Sequence, residues 1–234
     1  MPLLHDLMGL FRVRNGIAFL RHTLCAIAYK RFMIDFIKSI IPKIAESYYV
    51  TQNPVRRGSR PTAYTQRQVY PEQNFVAELF SQLRQVMPSN DGLRLNCNIY
   101  KEIRTLTYHD DHYESSISQI LGSQAGVIPD LVYHRSQGDT NPQNQVFALE
   151  CKIDPGLSED EFNKDLIKLM IYRHQFNFQT VIFLIVNNRE SQIMRLLDTY
   201  QRSYYLNQDR LHILVVERHS SPPVCLIHRD DNCT

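Results

Sequence analysis

Residues 126–153 set the tightest limit on what this chain can fold into. They read G-V-I-P-D-L-V-Y-H, then a polar connection, then Q-V-F-A-L-E-C-K-I. Both flanks are strand-length runs of apolar, β-branched and aromatic residues. The connection from Arg135 to Asn144 carries the turn formers Gly138, Asp139, Asn141 and Pro142. That pattern predicts a β-hairpin with a long loop.

Residues two apart on a strand share a face. Phe147, Leu149, Cys151 and Ile153 therefore line one side of the second strand, a wholly apolar side suited to a core. Val146, Ala148, Glu150 and Lys152 line the other. On the first strand Asp130 shares a face with Val132 and His134, and if the two faces match, Asp130, Glu150 and Lys152 converge on one small volume. Charges are seldom buried unless paired or bound to metal. One reading makes Glu150 and Lys152 a surface ion pair at a strand end, with Asp130 in a loop after a proline. The other makes the two carboxylates a site for a hard divalent cation, with Lys152 beside the attacking water. Phosphodiester cleavage fits those parts.

Pro129-Asp130 followed by Glu150-Cys151-Lys152 resembles the signature of the PD-(D/E)XK nuclease superfamily, the restriction-endonuclease-like fold. The resemblance implies that Asp130 and Glu150 ligate Mg2+, with Mn2+ able to substitute, that Cys151 lends its backbone carbonyl, and that Lys152 serves the nucleophilic water. A helix before the hairpin often adds another acid in this superfamily. Within the helix expected from Pro71 onward, Glu78 is the choice for it and Glu72 the reserve. The resemblance covers roughly residues 71–217. It implies an α/β fold with a mixed central sheet flanked by helices, the αβββαβ core, carrying an N-terminal helical extension.

Periodicity along the chain gives the same order of elements. An apolar stripe through Phe75, Val76, Leu79, Phe80, Leu83 and Val86 predicts a helix. Residues 93–100 and 103–108 read as two short strands, or as one strand with a break. Residues 109–114, His-Asp-Asp-His-Tyr-Glu, carry metal-capable side chains but read as a polar turn rather than a second metal site, since nothing there fixes a geometry, and 115–121 read as a short helix. Ser158 is a plausible N-cap for a helix running to about Phe176. On that helix Lys164 and Lys168, four apart, share a face suited to phosphate contact, a role also open to His134 and Arg135 beside the hairpin loop. Each of these also fits an ordinary surface or structural role. The run at 180–186, T-V-I-F-L-I-V, lacks alternation and fits a strand covered on both faces. An amphipathic helix over 190–204 and strands over 211–216 and 224–227 follow, then a disordered tail.

The first seventy residues are of another kind. They hold eleven Lys or Arg against three Asp or Glu, whereas the remainder holds fifteen against twenty-one. A basic arm on an acidic body suits contact with nucleic acid, DNA above all, although a solvated basic segment fits the charge equally. Apolar residues at helical spacing over 29–48 predict a helix that Pro42 kinks or divides, with a stripe suited to packing on the body, a second copy of the chain or a partner subunit. Residues 51–70 read as a flexible basic linker. The expected domains are thus 1–70, an extension and linker, and 71–234, the nuclease-like body. Five cysteines without zinc spacing, no run of transmembrane length and no secretory leader point to the cytoplasm. The sequence expectation is an Mg-dependent deoxyribonuclease. The alternative is a nucleic-acid-binding or assembly subunit that keeps the fold without cleaving.

Overall fold

The computed structural model describes residues 33–56, 64–87, 92–96, 106–107, 126–135, 141–203 and 211–227. The chain divides into two compact units, Met1–Ile37 and Lys38–Thr234. Residues 33–40 are helical (α1). Pro42 then converts the α-helix to a single 3-10 turn, Ile41–Lys43, and Ile44 leaves it in extended conformation. A second such turn spans Glu46–Tyr48.

Residues 51–70, expected to be a linker, contain a hairpin. β1 (Thr51–Arg56) pairs antiparallel with β2 (Tyr64–Val69), from Thr51 opposite Val69 to Arg56 opposite Tyr64. The strand formers Thr51, Val55, Tyr64, Thr65 and Val69 outweigh the arginine and proline content that suggested a linker. Pro54 is tolerated because both strands of a two-stranded sheet are edges.

The body is built on a run of seven apolar or β-branched residues. β8 (Thr180–Val186) is buried at every position, as an uninterrupted hydrophobic strand must be. It lies inside a six-stranded mixed sheet of order β10-β9-β8-β7-β6-β3. The members are β3 (Leu93–Leu95), β6 (Leu131–His134), β7 (Gln145–Lys152), β8, β9 (Leu211–Val216) and β10 (Val224–Ile227). β7, β8 and β9 run parallel; β3, β6 and β10 join antiparallel. The short strands β4 (Leu106–Thr107) and β5 (Gly126–Val127) pair with each other. The expected patch at 109–114, the helix at 115–121 and the tail after Ile227 lie outside the described residues.

Helices cover both faces of this sheet. α2 (Glu72–Val86) and the chain around Tyr49 lie on the side of Phe147, Leu149 and Cys151, with the Tyr49 and Phe75 rings edge to face at 5.1 Å. α3 (Glu159–His174) and α4 (Glu190–Ser203) lie on the side of Ala148, Val181, Phe183 and Ile213. Both layers are needed, since apolar side chains leave the sheet in both directions. Gly92 holds the β3 edge: a Cβ there would collide with the His134 carbonyl, and the Gly92 carbonyl accepts from His134 N–H at 2.9 Å.

Two asparagines fix the exit of β7. Buried Asn188 accepts at Oδ1 from the backbone N–H of Gly156 and Leu157, and its Nδ2 donates to the carbonyls of Asp154 and Val186. Asn187, in the left-handed region at φ 59, donates from Nδ2 to the carbonyls of Tyr49 and Ile153. The turn from β7 into α3 is thereby tied to the end of β8. A capping box then starts α3: Ser158 Oγ accepts from Glu161 N–H at 3.3 Å and donates to Glu161 Oε2 at 2.6 Å.

Candidate active site

The β6–β7 register decides whether the charged residues can meet. Leu131 pairs with Leu149 and Val132 with Ala148, so the position opposite Glu150 is Asp130. The backbone N–H of Asp130 donates to the Leu149 carbonyl at 3.1 Å, continuing the ladder one step past the end of β6. Asp130 Oδ2 accepts from the Cys151 N–H at 2.8 Å. The two acids therefore stand on the same side of the sheet. Lys152 stands there too, on the side covered by α3.

Glu150 is 1% exposed and fully engaged. Its Oε1 accepts from the Tyr172 hydroxyl at 2.6 Å and its Oε2 from Lys168 Nζ at 3.1 Å, both donors coming from α3. Lys168 also contacts Asp165 Oδ1 at 2.8 Å. Lys152 Nζ donates to both oxygens of Glu72, at 3.2 and 3.3 Å, and lies 3.6 Å from Asp165 Oδ2. A continuous chain of opposite charges results: Glu72, Lys152, Asp165, Lys168, Glu150.

The cluster sets four carboxylates (Glu72, Asp130, Glu150, Asp165) against two ammonium groups (Lys152, Lys168). With every group ionised it carries two uncompensated negative charges in a largely dehydrated place, which is costly. Burial pushes the Glu72 carboxyl up to about 7, against the pull of Lys152. Burial likewise raises Asp130 to about 6, although the Cys151 N–H bond favours its ionised form. Glu150 lies well above the ordinary carboxylate range, first through burial and then through the charge of Asp130. Burial alone would lower both lysines. Asp165, Glu72 and Asp130 outweigh it for Lys152, and Glu150 and Asp165 outweigh it for Lys168, so both stay charged. Burial, followed by Glu150, also holds the Tyr172 hydroxyl well above its usual value, keeping it a donor.

Lys152 and Glu72 open onto a groove of about 430 Å³ that Gln73, Asn74, Asp154 and Glu161 also line. Its own charged lining is acidic apart from Lys152.

Among the sequence candidates, Asp130, Glu150, Cys151 and Lys152 come together, and Lys168 joins them as a partner of Glu150. Glu78 does not. Its carboxylate accepts from Gln82 Nε2 at 2.7 Å, one turn further along α2. Glu72, the reserve, takes the place beside Lys152 because it is the first residue of α2, where the helix meets the strand end. Glu78 lies six residues on, roughly 9 Å along the axis. His134 is the last residue of β6 and Arg135 follows it, at the opposite end of the strand from Asp130 and ~13 Å or more away along it. Lys164 is exposed on α3 and does not share the inward position of Lys168.

Asp165 and Tyr172 were missed. With Lys168 they stand at positions i, i+3 and i+7 of α3, one helical face. A polar triplet on the face that should be apolar was the available signal.

Asp130 and Glu150 fit a divalent cation in donor chemistry and in sharing a face, and a dication would offset the excess charge of the cluster. Among the described residues, however, no three His, Cys, Asp or Glu side chains already form a closed set of ligands. Comparison with family models, curated proteins and solved structures gives no match for this chain.

Proposed function

We propose that this chain is a Mg2+-dependent nuclease of the PD-(D/E)XK type that hydrolyses phosphodiester bonds in DNA. One observation carries the reading: Asp130 and Glu150 occupy opposing positions on one face of adjacent strands, with Lys152 two residues further along the same face. With β4 and β5 set aside in their own small sheet, the succession α2, β3, β6, β7, α3, β8 supports the reading, since it is compatible with the αβββαβ order that the resemblance implies. So does the raised carboxyl of Asp130, since an acid held near 6 by burial gains from a cation beside it.

Asp130, Glu150 and the Cys151 carbonyl would hold the cation. A cation held there would offset charge on the scissile phosphate and lower the pKa of a water. Lys152, held charged by its acidic neighbours, orients that water and stabilises negative charge as it develops. Tyr172 and Lys168 keep the Glu150 carboxylate in one rotamer by donating to one oxygen each. Glu72 restrains Lys152 until a phosphate enters the groove.

The test is purified protein incubated with supercoiled, linear, branched and single-stranded DNA, with Mg2+ and then with EDTA. Cleavage should require Mg2+, and Lys152→Ala should abolish it while leaving the circular dichroism spectrum intact. Undiminished cleavage by Lys152→Ala would reject the assigned chemistry. A second reading, a DNA-binding or assembly subunit that does not cleave, draws on the engagement of both Glu150 oxygens by Lys168 and Tyr172. Magnesium-independent binding with no cleavage of any substrate would select it.

A further inference from the structure

The nuclease reading uses one lysine, yet the site holds two, and one buried carboxylate lies between them. Asp165 projects from α3, its side chain 3% exposed. Oδ1 is 2.8 Å from Lys168 Nζ. Oδ2 is buried, has no hydrogen-bond partner, and faces Lys152 Nζ at 3.6 Å, just beyond bonding distance. A buried carboxylate oxygen without a donor is expensive unless it serves a second state of the site. Lys152 has three protons, and contact with both oxygens of Glu72 leaves at least one of them for another acceptor.

We propose that Asp165 is a positioning residue that yokes Lys152 to Lys168, so that Lys152 keeps its place above the Asp130–Glu150 pair when it gives up Glu72 to an incoming phosphate. The proposal rests on the nuclease reading for its purpose, but not for its geometry. Closing the gap from 3.6 Å to a hydrogen bond needs only a sub-ångström shift of a flexible lysine tip. Such a shift satisfies the orphaned oxygen at the moment Glu72 lets go. Because Lys168 holds Glu150 as well as Asp165, the same carboxylate sets the spacing between the strand-borne lysine and the acid two residues before it.

The experiment follows the side-chain ammonium signals of Lys152 and Lys168 by 15N NMR in the full chain, alongside Mg2+-dependent cleavage of a DNA duplex. Asp165→Asn keeps the shape and removes the charge. It should expose both ammonium groups to rapid proton exchange and lower kcat by roughly tenfold to a hundredfold, the scale of a small misplacement, with KM within about twofold. Asp165→Glu should recover part of the kcat. In Glu72→Gln, which sits at a partly exposed helix start and spares the core, the Lys152 signal should stay protected because Asp165 still holds it. A Lys152 signal lost in Glu72→Gln, or unaltered in Asp165→Asn, would overturn the yoke. If the unaltered protein cleaves no substrate, the nuclease reading fails, and the NMR arm still decides whether Asp165 couples the two lysines.

Discussion

α3 and α4 pack on the same face of one sheet but meet it with different residues. α4 offers Ile193, Leu197 and Tyr200, a conventional apolar stripe. α3 offers Phe162, Leu166 and Leu169, but it also buries Asp165 and Tyr172 and draws Lys168 inward. The strands beneath differ to match. β9 presents only apolar residues to that layer, whereas β7 presents Glu150 and Lys152. A helix chosen for stability alone would not carry buried charges over a strand that also carries them, because each must be desolvated. The difference separates a half of this layer held by apolar packing from a half that carries a desolvated cluster of charges.

The sharpest way to break that division is to exchange one residue in each half. On the proposed nuclease reading, Glu150→Gln should reduce Mg2+-dependent cleavage on the order of a thousandfold, because it removes a charge proposed to hold the cation. It should leave the melting temperature unchanged or higher. Lys168 still has Asp165 at 2.8 Å, so no buried cation is stranded, and the repulsion between Glu150 and Asp130 is gone. Leu197→Ala, at a buried position of α4, should do the reverse: a loss of about 2–5 kcal/mol in stability with cleavage kept at permissive temperature. Thermal melts and initial cleavage rates on the same two preparations decide it. Equal losses of both properties in both variants would erase the distinction.

The α4 half was easy to read because hydrophobic periodicity alone specifies it. The β6–β7 hairpin was equally legible. Alternation on each strand says which of its own residues share a face, whereas the long loop leaves open the register that sets Asp130 opposite Glu150, which is seen only in the structure. Local pattern does not say where a helix enters relative to a sheet. Glu78, at the edge of the α2 stripe, therefore looked better placed than Glu72, which the helix start brings to Lys152. Asp165 and Tyr172 were overlooked because helix assignment searches for apolar spacing, and a polar residue within the stripe reads as noise. The β1–β2 hairpin was hidden by its arginines and by Pro54, whose composition suggests a linker while Thr, Val and Tyr set the backbone.

Protonation separates the two halves more gently. Glu72 and Asp130 bind protons more tightly folded than unfolded, since 4.5 rises to about 7 and 3.8 to about 6. The unfolded chain then releases protons first as pH rises. These two groups favour the folded state most at low pH, and their contribution is lost between about pH 4 and 7. These two groups should contribute a downward slope to the melting temperature across that window. Glu72→Gln should flatten it, and Mg2+ should do the same by binding the ionised form. Leu197→Ala should shift the whole curve down without altering its slope. An identical slope in Glu72→Gln and the unaltered chain would remove Glu72 from the account.

The smallest expected effect lies within α3 itself. Lys164 and Lys168 are one turn apart, yet Lys168 is tied to Glu150 and Asp165 while Lys164 is exposed. If both served only to attract phosphate, removing either would weaken DNA binding alike. The site geometry predicts otherwise. Lys164→Ala should weaken binding a few fold, reduce the salt dependence of affinity by about one phosphate contact, and leave kcat unchanged. Lys168→Ala should lower kcat instead, because Glu150 then keeps only the Tyr172 hydroxyl and can turn away from Asp130. Binding titrations at several salt concentrations, paired with single-turnover cleavage, separate the two lysines. The same salt slope and the same cleavage rate in both variants would place Lys168 back on the outer surface and leave Glu150 without its anchor.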